Sequence, residues 1–352
     1  AWPLFRQSAL LARKLEDASA LANCGGDYLH YCPPTAEYVE EARQIADEMM
    51  RVWDRADPFS MAYGMEMAGS FFLKLGERRQ GEAIHREELE SARLATAPAH
   101  HYYFPYLRAC YHIMDGQLEE AAKCHDDALR LGVEIGAPLA AAVQACFFGP
   151  RVGGYLGWGR EELKRFEEWA KAAGLSVPVP AHVRAYYLVC GGEREEVMTI
   201  LDEIAGHYAA EPEITRHSFP ALVLLLETAV LANDTRAAEV LSNLLAGAVY
   251  KTSGLHNPTC VARHLGGAAA LLGRYEDARK FYQEAIKVCT EMRFRPELAL
   301  TRLQLAELFL ERYPKKRAEA LEHLDFAISE FRDMKMQPSL ERALRRKDIL
   351  GA

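Results

Sequence analysis

The stretch HLGGAAALLGRYEDARKFYQEAI, residues 264–286, has the punctuation of a tight helical hairpin. Gly266 and Ala278 are small residues at the places where two antiparallel helices cross at close range, and Gly273 ends the first helix in the left-handed conformation that glycine adopts without strain. Tyr282 and Ala285 continue the second helix one turn apart, on one face.

The same frame recurs along the chain. Gly69, Gly76, Gly81 and His85 take the corresponding slots in one earlier unit, and Ala109, Gly116, Leu118, Ala121 and Ala128 take them in the next. Ala185, Gly192 and Val197 follow, then Asn233, Ala238 and Leu245, and last Ala306, Ala320 and Ala327. Between turn residues the period is 40 from Gly76 to Gly116, 41 from Gly192 to Asn233 and 40 from Asn233 to Gly273. Leu265-Gly266, Gly273, Tyr275, Ala278, Tyr282 and Ala285 carry the spacing of the tetratricopeptide signature, so the chain resembles the tetratricopeptide-repeat (TPR) family, with a period longer than the standard 34. The extra length adds roughly one turn of about 3.6 residues to each helix of a pair.

The spacing predicts an all-α fold: a right-handed α-solenoid of about eight antiparallel helix pairs with a C-terminal capping helix. The pairs fall at 3–24 with 35–55, 58–75 with 78–95, 99–114 with 117–135, 138–156 with 160–173, 181–190 with 194–207, 214–232 with 235–250, 259–272 with 275–292, and 297–312 with 315–334. The whole chain, 1–352, reads as a single helical-repeat domain. Residues 1–57 form an N-terminal pair with an irregular loop at GGDYLHYCPP, 58–334 the repeats, and 335–352 a cap over the last apolar face.

Composition narrows the job. Half the residues are hydrophobic, and 42 Lys plus Arg against 50 Asp plus Glu give a formal charge of −8, which disfavours nucleic acid as a direct partner. Apolar runs such as FPALVLLLETAVLA, 219–232, are too short for a membrane span. The eight cysteines are scattered singly, without a CxxC pair or a secretory signal, as expected of reduced thiols in cytoplasm. The chain begins Ala1-Trp2-Pro3, already inside a helical pattern, so it reads as a piece of a longer protein.

Several clusters look chemical. AHHYYFPYLRACYHIMDG, 99–116, gathers three histidines and a cysteine, yet His101 and His112 lie eleven residues apart, about 16 Å along one helix, too far to share an ion. Cys24, His30 and Cys32 make the best metal candidate, three potential zinc ligands in the first loop without a marked fourth. VGGYLGWGREELKRF, 152–166, lacks both the GxGxxG order and the P-loop lysine, and reads as close helix packing plus a turn. The sequence has no nucleophile elbow and no HExxH helix, so no catalytic residue and no cofactor are expected.

Projected onto the frame, Tyr63, Glu66 and Ser70, then Tyr103, Tyr106 and Cys110, then His182, Tyr186, Glu227 and Arg263 line the concave face of the solenoid. Aromatic rings with polar tips suit a binding groove, and they equally suit the filling of a tightly wound superhelix. Residues 260–350 resemble the long TPR arrays at the carboxyl end of large bacterial regulators, behind an AAA-type or STAND-type ATPase module. Some of these carry a nucleotide cyclase in front, and others a LuxR/MalT-like DNA-binding domain behind. The resemblance implies a non-catalytic arm that binds a protein or peptide partner, or a small effector, with chemistry in linked modules. Two alternatives stand beside it: a metal-binding or enzymatic helical protein using Cys24, His30 and Cys32, and a purely structural assembly scaffold.

Overall fold

The computed structural model of the chain describes residues 2–94, 103–176 and 178–351. Helix α1 (Trp2–Leu15) stands in front, and eight antiparallel pairs follow: α2 (Ala18–Tyr31) with α3 (Ala36–Val52), α4 (Pro58–Lys74) with α5 (Arg78–Leu94), and α6 (Tyr103–Met114) with α7 (Leu118–Glu134). Next come α8 (Pro138–Leu156) with α9 (Gly159–Ala172), α10 (Ala181–Cys190) with α11 (Arg194–Ala210), α12 (Phe219–Ala232) with α13 (Thr235–Leu245), α14 (Val261–Leu271) with α15 (Tyr275–Glu291), and α16 (Arg295–Arg312) with α17 (Arg317–Asp333). Helix α18 (Gln337–Gly351) closes the array against α17 and α16. No strand forms among the described residues, and the protein is an α-solenoid.

The hairpin logic of the sequence is visible in the contacts. A Cβ at Gly266 would sit 2.7 Å from the Tyr282 ring, and one at Gly69 would sit 2.1 Å from His85 Nε2, so glycine sets how closely the helices of each pair approach. Asn233 leaves α12 at φ +55 and Gly273 follows α14 at φ +76, the left-handed exits that the frame demands.

Two sequence expectations change. The helix expected over 3–24 is two helices, broken at Glu16 (φ +54), with Asp17 capping α2 by accepting from Ala20 N at 2.9 Å. As a result GGDYLHY is helical rather than a loop. The helix expected over 235–250 ends at Leu245, and from Tyr250 the chain enters the interior of the superhelix.

The superhelix meets itself five units along. Arg78, at the start of α5 in the second pair, donates to the carbonyls of Met292 and Arg293 at the end of α15 in the seventh, at 2.8 and 3.0 Å. Gly116, in the turn of the third pair, lies against Met334 after α17 of the eighth, and Gly157 of the fourth lies against Pro338 of α18. Helix α16 packs on α6, and α18 on α8. The accessible surface, 15747 Å², is close to the roughly 14,000 Å² of a compact monomer of this mass.

The segment Tyr250–Cys260 fills the space so enclosed. Apart from the exposed Lys251, all of it is buried. A buried loop needs partners for its backbone, and these are present. Lys251 N and Thr252 N donate to Lys74 O at 2.7 and 3.2 Å, and Thr252 Oγ1 to Leu73 O at 2.7 Å. Leu255 N donates to Ser70 Oγ at 3.3 Å, Asn257 N to Phe147 O at 2.6 Å, and Cys260 N to Glu297 Oε2 at 2.8 Å. The loop thereby joins α4, α8 and α16, from the second, fourth and eighth pairs. Leu255, 1 % exposed, is its apolar centre. Leu255→Ala is expected to lower stability in urea unfolding by about 2–5 kcal/mol, and a midpoint within error of the parent would show that the segment does not support the fold.

Candidate functional site

On the inner helices the slot that faces the superhelix interior holds opposite charges in turn. Arg151 (α8) donates to Glu227 (α12) at 2.7 Å, Arg263 (α14) to Glu227 at 2.8 Å, and Arg263 to both oxygens of Glu297 (α16) at 2.8 and 2.9 Å. Tyr155 donates to Glu297 at 2.6 Å, and Arg151 to Tyr186 at 3.3 Å. Burial alone would raise the two carboxyls; Arg151 and Arg263 override it, holding Glu227 down at about 2 and Glu297 well below the usual carboxylate range. His264 is lowered to about 3 by burial and by Arg263, so it is neutral. Thr259 Oγ1 gives its one proton to Glu297 at 2.7 Å and lies 2.6 Å from His264 Nε2, which fixes His264 as the tautomer protonated at Nε2.

Three of the residues projected onto the concave face, Tyr186, Glu227 and Arg263, therefore meet in one network, joined by Arg151, Tyr155 and Glu297, which the projection missed. None of them lines an open groove: each is at most 5 % exposed. Tyr106 is buried too, donating to Ala141 O at 2.9 Å and stacked on Phe148, and Cys110 is buried. Glu66 is buried on α4, where desolvation pushes it up to about 8 and keeps it protonated at neutral pH. Ser70 takes the loop backbone, and Tyr63 is half-buried, donating to Asp27 at 2.7 Å. The side chain of Tyr103 lies outside the described residues, as do His100 and His101. The physical reason for the difference is the loop Tyr250–Cys260 and the tight winding, which close the inner surface along most of its length.

Cys24, His30 and Cys32 do not converge. Cys24 and His30 are on α2 and Cys32 caps it, and no group of three or more His, Cys, Asp or Glu among the described residues is placed to hold a metal ion. His30 packs edge-on against His256 of the loop, and with His182 and His217 they line a cleft of about 80 Å³.

Among the described residues, part of the concave surface stays open. Beyond the network, the C-terminal ends of α12, α14 and α16 and the wall of α18 surround a groove of about 390 Å³. Its floor is aliphatic, with Leu231 (43 % exposed), Leu271 and Leu308. Its wall is charged: Arg342 grips both oxygens of Glu307 at 2.8 and 2.5 Å, and Arg346 bridges Glu307 and Glu311 at 3.1 and 3.0 Å. Arg312 stands over the Tyr275 ring at 4.3 Å. Arg263 and Tyr282 connect network and groove, since the Tyr282 phenol lines the groove and feels the Arg263 charge.

No protein-family model matches the chain, and no curated protein sequence matches it. The solved structures do contain its fold. The crystal structure of a Rap protein complexed with competence and sporulation factor superposes with a TM-score of 0.50 over 94 % of this chain and 96 % of that one, at 14 % identity. The likeness is one of architecture: helical pairs wound into a TPR-like solenoid.

The buried histidines set a pH dependence. Burial lowers His30 to about 3, His85 to about 4 and His264 to about 3, and lowers His256 well below its ordinary value. Unfolded histidine titrates near 6.5, so between about pH 4 and 6.5 the unfolded chain binds more protons and stability falls as pH drops. Glu66 and Glu88, raised by burial, act in the opposite sense, because the native state keeps protons that the unfolded state releases above about 4.5. Four histidines outweigh two carboxyls. The urea midpoint is expected to be lower at pH 5 than at pH 7, and an equal or higher midpoint at pH 5 would contradict this balance.

Proposed function

We propose that the chain is a recognition module without catalytic chemistry of its own, which holds an extended segment of a protein partner in the groove between α12, α14, α16 and α18. The observation that carries this reading is the coincidence, in one concave opening on rigid helices, of an aliphatic floor with convergent guanidinium, carboxylate and amide groups. The Rap protein with the same architecture was solved complexed with competence and sporulation factor, which supports a solenoid of this kind as a holder of partners. Tyr186, Glu227 and Arg263 act from beneath, fixing the inner helices so that the groove keeps its shape. Tyr63 and His182 are partly exposed and lie outside this groove, Tyr63 against Asp27 and His182 in the small cleft beside His256.

In this reading residues 1–352 work as a single repeat domain in the cytoplasm and form the sensing arm of a larger regulator, whose ATPase, cyclase or DNA-binding modules lie elsewhere in the protein. The support is the likeness of residues 260–350 to arrays at the carboxyl end of such regulators. Selection of a phage-displayed random dodecapeptide library on the whole chain tests the groove. A consensus is expected to emerge, and the selected peptides are expected to lose at least tenfold in affinity for Leu231→Glu, an exposed position whose change leaves the helical circular dichroism intact. No enrichment, or peptides indifferent to Leu231→Glu, would overturn the groove as the site.

A further inference from the structure

The charges of the groove are not balanced. Three guanidiniums and two carboxylates line it, on a chain whose formal charge is −8. Arg342 and Arg346 are tied to Glu307 and Glu311. Arg312 pairs with no carboxylate among the described residues and rests on the face of Tyr275. Stacking on an aromatic ring holds a guanidinium in place while leaving its N–H edge available, which is the edge that grips a carboxylate through two parallel bonds.

The same groove holds a second uncommitted group. Gln304 Oε1 is buried and has no hydrogen-bond partner among the described residues. A buried amide oxygen without a donor is costly, and a backbone N–H from an occupant satisfies it. Gln304 and Arg312 are eight residues apart on α16, about 12 Å at 1.5 Å per residue. An extended segment covers that distance in about four residues.

We propose that the groove is specific for an extended acidic peptide segment, in which aliphatic side chains rest on Leu231 and Leu271, a backbone N–H reaches Gln304, and an Asp or Glu about four residues away pairs with Arg312. This rests on the reading of the groove as the recognition site and adds the chemistry of its occupant.

Two mixtures of acetylated, amide-capped heptapeptides test it by fluorescence anisotropy against the whole chain. Each has Leu, Ile and Val randomised at four positions; the remaining three hold Asp and Glu in one mixture and Asn and Gln in the other. The acidic mixture is expected to bind about tenfold more tightly in low salt. Arg312→Gln is expected to erase that preference while leaving the weaker binding of the neutral mixture unchanged, and Arg312→Lys to restore part of it. Equal binding of the two mixtures, or a preference that survives Arg312→Gln, overturns the acidic specificity and leaves the groove standing. Absence of binding by both mixtures, together with dodecapeptides indifferent to Leu231→Glu, overturns the groove itself.

Discussion

Glu297 accepts hydrogen bonds from Tyr155 on α8, from Thr259 and the backbone of Cys260 in the loop, and from two nitrogens of Arg263 on α14. A carboxylate with no solvent exposure survives as an anion only when every oxygen is answered in this way. Its position at the start of α16 brings the eighth pair to the fourth and anchors the C-terminal end of the buried segment. The winding that brings units five apart into contact, Arg78 with Met292 and Gly116 with Met334, goes with this closure and with the shut inner surface. Loss of Glu227 would leave Arg151, and loss of Arg263 would leave Glu297, charged in the interior without an ion partner, so the network behaves as a unit.

Much of this architecture was legible in the sequence, because the constraints are local. Gly76, Gly116, Gly192, Asn233 and Gly273 mark turns that only a left-handed residue can make, and Gly266 and Tyr282 mark a crossing that only a small residue permits. The inner slot was legible in part: Tyr186, Glu227 and Arg263 were placed on it. Arg151 and Glu297 sit 35 and 34 residues from Tyr186 and Arg263, whereas a step of the 40-residue frame lands on Cys146 and Leu303, so the frame read from the turns passes them by. Alternating sign along one slot was the unread signal. What the repeat frame does not hold is the pitch of the superhelix, which depends on contacts between residues more than 140 apart, such as Tyr155 with Glu297. For the same reason KTSGLHNPTC, polar and rich in turn residues, looks like an ordinary surface loop until the closure places it inside.

The closure also explains where binding chemistry remains. A solenoid usually offers its whole concave face, but here the loop and the ion pairs occupy most of it. The groove survives at the C-terminal end, where α12, α14 and α16 reach past the network and α18 adds a charged wall. Rigidity below and openness above are two results of one arrangement: the buried pairs fix the helices, and their fixed spacing keeps aliphatic floor and guanidinium edge in register for an occupant.

Amide hydrogen exchange along Lys251–Cys260 tests the closed superhelix most directly. A segment without helix or sheet pairing on a surface exchanges within seconds, whereas here the amides of Thr252, Leu255, Asn257 and Cys260 are bonded to α4, α8 and α16. Protection comparable to that of the flanking helices α12 and α14 is the predicted result. Exchange as fast as that of an exposed loop, in a chain whose helices remain protected, would contradict the account.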